Sequence, residues 1–360
     1  MAAEEGAINL SQGFPDFDAP EELVELISKY MHGGSNQYSP MEGLMTLREQ
    51  IARKVKKLYQ ASFDPESEIT LTSGATEALH ASISAIVQSG DEVIVLEPAY
   101  DSYIPSIQLN GGVPVTVSLD PVDFSVPWEK LQRSISPKTR LIIINTPHNP
   151  TGTVWYADDL NRLAELIRDT RILVLSDEVY EHIIFDGQKH HSVLTHPELS
   201  ARSAAVSSFG KTFHATGWKI GYVVAPAFIS REIRKVHQFI QFSVHTPSQY
   251  ALAEYMESLD SYQFLADFYQ QKRDLFQSLT AEAPFEPLPS RGTYFQLFSY
   301  KDYSDMRDRE LAEQMTRVNK LACIPISVFY QDHTDNKYLR FCFCKDDETL
   351  RRGAEILCSL

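Results

Sequence analysis

The chain has no apolar run approaching the roughly 18 residues that a membrane-spanning helix requires. Its first residues, Met1-Ala2-Ala3-Glu4-Glu5, are acidic and lack an apolar centre, which excludes a secretory signal there. Cysteine is scarce. The four in 360 residues, Cys323, Cys342, Cys344 and Cys358, show no C-x-x-C spacing. They read as reduced thiols of a cytoplasmic protein, not as a metal site or a disulfide framework. Basic residues are outnumbered 33 to 48, and a formal charge of −15 argues against nucleic acid or an anionic membrane as the main partner. His148, His182, His190 and His191 lack the helical spacing of metal ligands and read as surface or loop residues, so no metal is expected. Ser73 sits in no G-x-S-x-G turn, and no Ser/His/Asp order is present. Internal repeats and low-complexity linkers are missing too.

What is present is the composition of an ordinary globular enzyme, 43% hydrophobic and 22% charged, long enough for about two domains. Seven apolar runs, at 69–72, 92–96, 113–118, 141–145, 172–176, 204–208 and 221–224, alternate with helical patterns at 76–89, 157–169 and 227–239. Several runs are unbroken Val/Ile/Leu blocks, as a sheet covered on both faces requires. The alternation predicts an α/β fold with a mostly parallel seven-stranded sheet. A helical, polar and aromatic stretch follows Pro247 to about residue 281. Beyond the prolines at 284, 287 and 289, strands at 292–298 and 338–344 with helices at 309–319 and 347–357 predict a smaller α+β domain.

Five motifs carry chemistry, each beside a plainer explanation. Lys211 follows the 204–208 run among small residues. A lysine buried at a strand end loses hydration, so its pKa falls and its amine attacks carbonyls; most lysines in such places are simply solvated. Asp177 ends another run, in Ser176-Asp177-Glu178-Val179-Tyr180. A carboxylate there suits holding a proton on a ring nitrogen, with Tyr180 bonding a phenolate; a helix cap and a solvated acidic pair would look the same. Thr72-Ser73-Gly74-Ala75-Thr76-Glu77 opens a helix whose free amides suit a phosphate, or is only an N-cap. Asn145-Thr146-Pro147-His148-Asn149-Pro150-Thr151-Gly152 is a rigid turn at a strand end, with Asn149-Pro150 a candidate cis peptide. Arg340, alone in an apolar strand, has a fork that matches a carboxylate, although an internal ion pair is the commoner use. Phe264, Phe268 and Phe276 fall at helical spacing and read as core.

Taken in order, these motifs resemble the class I/II pyridoxal-phosphate aminotransferases of fold type I. The opening Ile8-Asn9-Leu10-Ser11-Gln12-Gly13-Phe14-Pro15-Asp16-Phe17, with Lys211-Thr212-Phe213-His214-Ala215-Thr216-Gly217-Trp218-Lys219, is similar to the branch of methionine aminotransferases and kynurenine–oxoglutarate transaminases. The resemblance runs from Ile8 to the C-terminus. It implies pyridoxal 5'-phosphate as cofactor, with Lys211 as its Schiff-base lysine. It further implies Asp177 on the ring nitrogen, Tyr180 and Asn149 on the ring's 3′-oxygen and Tyr100 stacked on the ring. Gly74, Ala75, Thr76, Ser208 and Lys219 would hold the phosphate, and Tyr38 would reach in from the second subunit of a homodimer. Arg340, Asn149 and the Gly13 backbone would bind the substrate carboxylate, while Phe14, Tyr38, Tyr100, Phe329 and Tyr330 could line the side-chain pocket. Residues 34–254 would form the large cofactor domain; 1–33 with 255–360 the small one, including a long interdomain helix near 260–282. Family members carry an N-terminal arm before the Ile8 segment, where seven residues stand here; the arm packs at the dimer interface and near the substrate entrance, so the resemblance does not carry over interface detail or side-chain specificity.

The implied reaction moves the α-amino group of an apolar, sulfur-containing or aromatic amino acid, methionine- or kynurenine-like, to a 2-oxo acid. A β-eliminating C–S lyase uses the same motifs, since fold does not decide reaction. A non-catalytic cofactor-binding module is the third reading; its usual N-terminal helix-turn-helix companion is absent. Residue types do not rank one amino donor or acceptor above another.

Overall fold

The computed structural model describes residues 1–258 and 261–360. Seven strands build the central sheet: β1 (Ile69–Thr72), β2 (Glu92–Glu97), β3 (Val113–Ser118), β4 (Thr139–Asn145), β5 (Leu173–Asp177), β6 (Ser203–Ser208) and β7 (Gly221–Val224). Their order is β1-β7-β6-β5-β4-β2-β3, with β7 antiparallel to both neighbours and the other pairings parallel. Each of the seven expected runs is a strand, displaced by no more than two residues. The reason lies in the side chains: β1, β5 and β7 are buried along their whole length. Helices cover the sheet on both faces. Gly74–Ile86 and Ala227–Ile240 pack on one side against Val93, Val95, Ile143 and Val206, and the other side faces the main core. The folding sense of the parallel units puts the ends of β1, β4, β5 and β6 along one edge, where open α/β sheets form their sites.

Around this sheet lies a smaller four-stranded antiparallel one, in the order Ile324–Pro325, Tyr338–Cys342, Phe295–Ser299, Glu286–Pro287. The N-terminal strand Ile8–Asn9 pairs in parallel with Leu321–Ala322 and carries the chain across toward the large sheet's edge.

Several expectations need correction. The stretch expected to run helical from Pro247 to 281 is two helices, Thr246–Tyr255 and Leu265–Leu279. Between them Tyr262 turns inward and stacks on His182, with ring centroids 4.5 Å apart. Positions 259 and 260 of that stretch, and so the start of the helix expected near 260–282, lie outside the described residues. The strand expected from 292 begins only at Phe295, because Arg291 and Gly292 donate to the Gly152 carbonyl and Thr293 to that of Ile183, with Thr293 at φ +65°. The helix expected at 309–319 is α only over Asp308–Gln314 and closes with a π turn, Met315–Asn319. The four histidines read as surface or loop residues all lie in loops, but three of them have buried side chains, each with a partner. His148 bonds Thr151 at 2.6 Å, His190 bonds Glu178 at 2.8 Å, and His182 lies under Tyr262. No helix among the described residues is long and apolar enough to cross a membrane.

Candidate active site

A cavity of about 500 Å³ opens at the C-terminal edge of the large sheet. It collects Gly74, Ala75 and Thr76 from the turn after β1, Tyr100 from the loop after β2 and Asn149 from the loop after β4. Asp177 and Tyr180 come from the end of β5, Ser208 and Lys211 from the end of β6, and Lys219 from just before β7. Arg340 enters from the small sheet and Gly13 from the N-terminal segment. Three expected residues do not line it, one of them, Tyr38, being expected at the site of the second subunit. Phe14 turns away, its carbonyl accepting from Lys345 at 2.7 Å, and Tyr38 is 83% exposed on the outer surface, against the edge of Phe242. Phe329 is in the wall, but Tyr330 is packed behind it. A larger hollow of about 660 Å³ adjoins Asn145 and Tyr103; it contains none of Lys211, Asp177 and Arg340, so the chemistry is assigned to the smaller one.

The electrostatics of the cavity follow from burial. Asp177 is 4% exposed and no basic side chain stands within ion-pair distance of it among the described residues; burial raises its pKa to about 6, against the hydrogen bonds it accepts from the Tyr103 phenol at 2.6 Å and the Val179 amide at 3.3 Å. Lys211 is reachable from the cavity but enclosed by protein, and desolvation lowers its amine to about 8. That amine donates to the Tyr294 hydroxyl at 2.6 Å and to the Gly13 carbonyl at 2.9 Å. Burial pushes the Tyr180 phenol well above its usual range. Arg340 is 7% exposed, donates to Asn149 Oδ1 at 2.6 Å and the Ser11 carbonyl at 3.2 Å, and lies over Phe295 at 3.9 Å. Its Nε has no hydrogen-bond partner, and no carboxylate lies within 4 Å of it among the described residues. The internal ion pair that would explain a lone arginine is therefore not there.

At the phosphate-type turn, the Ser73 side chain makes no cap bond; the Glu77 carboxylate takes the Ser73 amide instead, at 2.7 Å. The amides after it belong to the first helical turn and have no intrahelical acceptor. Gly74 stands at φ +76°, and a Cβ there would come within 3.3 Å of Lys219 Nζ, so the lysine amine lies directly against the turn. Asn149–Pro150 is cis, as expected.

The chain matches the family described as aminotransferase class I and II over residues 5–357. It belongs to the class I and II aminotransferases. The methionine aminotransferase of Escherichia coli (strain K12) is 50% identical over 358 residues, spanning 99% of this chain and 93% of that one. The kynurenine–oxoglutarate transaminase of Dictyostelium discoideum is 36% identical, spanning 100% and 92%. Among solved structures, Escherichia coli YbdL, whose structure and reactivity identified a methionine aminotransferase function, superposes with a TM-score of 0.98 at 50% identity, over 100% of this chain and 95% of that one.

As an aminotransferase of this family the protein is a pyridoxal-phosphate-dependent transaminase, and the cavity suits that cofactor. It offers a turn of free amides with an ammonium beside it for a phosphate, a buried unpaired carboxylate for a ring nitrogen, and a depressed lysine amine for a carbonyl. Sequence reasoning on this aminotransferase missed three residues that shape the cavity. Tyr103 holds Asp177, Tyr294 holds Lys211, and Gly221 leaves room for the turn, since a Cβ on it would sit 2.8 Å from Ala75 N. Tyr103 lies three residues beyond Tyr100, which is the one local signal; nothing near Tyr294 or Gly221 marks them.

Proposed function

We propose that the protein transfers the α-amino group of an apolar, sulfur-containing or aromatic amino acid, methionine- or kynurenine-like, to a 2-oxo acid, with Lys211 as the Schiff-base lysine. The observation that carries this is Arg340: a buried guanidinium without an acid, beside an amide oxygen and a backbone carbonyl, is built for a carboxylate that arrives with the substrate. Ile324, Val328, Phe329 and Tyr100 give the cavity an apolar wall for the side chain. The relatives named for methionine and kynurenine lend weight to the same class.

Pyridoxal phosphate, when bound, supplies the carbonyl that joins an amine and the ring that accepts electrons from the broken Cα–H bond. The chain's own residues do the rest. The amides of Gly74, Ala75 and Thr76, with Ser208 and Lys219, would hold the phosphate. Asp177, kept in place by Tyr103, would keep a proton on the ring nitrogen. Tyr180 and Asn149 would bond the 3′-oxygen, and Tyr100 would cover the ring. Arg340, with Asn149 and the Gly13 amide, would clamp the substrate carboxylate so that Cα lies near Lys211. The Lys211 amine, depressed to about 8, is neutral in a useful fraction near neutrality and can take the α-proton and return it.

The working unit in this reading is a homodimer. Tyr38, Phe239 and Phe242 are 83%, 84% and 45% exposed, an apolar group that a second copy would cover while bringing its Tyr38 to the cofactor. The same reading divides the chain at 34–254 and 1–33 with 255–360, and a cytoplasmic setting fits its four free thiols. Single-turnover mixing of the loaded protein with methionine tests the reaction. One equivalent of the matching 2-oxo acid per active site is expected; no oxo acid from any amino acid in a panel would sink it.

A further inference from the structure

The amine of Lys211 is held by a closed triangle of groups. It donates to Tyr294 Oη at 2.6 Å and to the Gly13 carbonyl at 2.9 Å, and Tyr294 Oη itself donates to that carbonyl at 2.5 Å. The phenol points its hydrogen at the Gly13 carbonyl and also shares a hydrogen bond with the Tyr180 phenol; with either acceptor it keeps an oxygen lone pair for the lysine. Tyr294 is fully buried and cannot swing away. Its ring meets Tyr180 edge-on at 5.1 Å, Phe295 at 4.9 Å and Tyr269 at 5.7 Å. Gly13 is fixed as tightly, since a Cβ on it would stand 2.7 Å from Phe295 Cζ. Phe295 also carries the Arg340 guanidinium at 3.9 Å, so the carboxylate clamp and the lysine's resting place share one floor.

We propose that Tyr294 and the Gly13 carbonyl form a dock that receives the Lys211 amine whenever it is free, making Tyr294 a positioning residue for the proton transfers of that amine. The inference rests on Lys211 being the reacting lysine, as read above. An ammonium has three hydrogens; the dock accepts two and leaves one to be delivered. When the α-C–H bond breaks, its proton becomes the third N–H and its electron pair stays with the substrate-derived group. The proton is later returned, and lysine and tyrosine end as they began. Gly13 would also offer its amide to the substrate carboxylate in the reading above, and one residue would then tie carboxylate binding to the aim of the amine.

The test is Tyr294→Phe, which removes the hydroxyl and keeps the ring. In the cofactor-free protein, the pH dependence of Lys211 acylation, read by peptide mass spectrometry, should have its midpoint near 8 in the parent. It should fall by about one unit in the variant, where the ammonium has lost an acceptor. In the loaded variant, single-turnover oxo-acid formation should slow about tenfold with a larger α-deuterium isotope effect, while methionine affinity changes less than twofold. Should Tyr294→Phe fold poorly, Gly13→Ala, whose Cβ would clash with Phe295 Cζ and shift the Gly13 backbone with its carbonyl, should lower the same midpoint. Borohydride trapping separates the two ideas. A cofactor adduct on a lysine other than Lys211 overturns the underlying reading. An adduct on Lys211 with midpoint and isotope effect unmoved overturns the dock alone.

Discussion

Arg340→Met offers the sharpest perturbation, because it separates substrate binding from folding. Methionine fills the same narrow space over Phe295 but cannot pair with a carboxylate. Losing one partner of a desolvated charge pair costs about 2–5 kcal/mol, so kcat/KM for methionine should fall by about 30- to 4,000-fold. The amine 3-(methylthio)propylamine has the same side chain and no carboxylate; with it, the parent and the variant should differ by less than about threefold. Stability should not fall. Among the described residues no acid within ion-pair distance is left behind, and the Asn149 and Ser11 oxygens that lose a donor face a cavity that water can enter. The assay is single-turnover kinetics with both amines, alongside thermal unfolding of the cofactor-free proteins. Equal losses for the two amines, or a melting point lowered by more than about 4 °C, would refute the clamp and make Arg340 a structural residue.

Asp177→Asn should reveal the strain of a buried acid. The folded pKa of about 6 lies above the ordinary 3.8, so the fold favours the protonated form; that contribution is complete below about pH 4 and lost as pH rises through 6. The cofactor-free variant should therefore match the parent near pH 4 and exceed it by about 3 kcal/mol at pH 7.5 in urea unfolding, while losing transaminase activity. Lys54 and Glu181 form a buried pair at 2.5 Å behind the cavity, with Tyr59, Ser207 and Tyr222 bonded to it. Lys54→Met should cost about 3–5 kcal/mol, and adding Glu181→Gln should restore most of it; a loss under 1 kcal/mol would contradict the pairing. Gly221→Ala should press on the 74–75 turn and weaken cofactor binding roughly tenfold, seen by equilibrium titration, the equivalent of one weakened charge-assisted bond.

The large sheet was legible because its strands are buried on both faces and so are written as unbroken apolar blocks. Residues at the ends of those blocks, Asp177, Asn149, Ser208 and Lys211, were legible for the same reason: parallel strands send their C-terminal ends to one edge. Arg340 stood out as one charge in an apolar strand. What local pattern does not encode is which element lands against which. Tyr294 looks like any aromatic of a strand entrance until the N-terminal segment folds over it, and Tyr103 like helix core until β5 arrives beside it. The stretch expected to be helical after Pro247 is helical over Thr246–Tyr255 and Leu265–Leu279, and periodicity cannot see the break between them, where Tyr262 is drawn inward to His182. The histidines do lie in loops, but their burial was not legible: His148 and His190 are polar in sequence yet engaged by partners 3 and 12 positions away. Tyr38 and Phe14 came from resemblance, and within one chain neither reaches the cavity.

The Lys211 amine is the group on which the reaction turns. Reducing the pyridoxal-phosphate-loaded protein with borohydride and mapping its peptides by mass spectrometry tests this directly. A single phosphopyridoxyl group is expected on Lys211, absent from Lys211→Ala. A label on another lysine, or none in a protein that still transaminates, would contradict it.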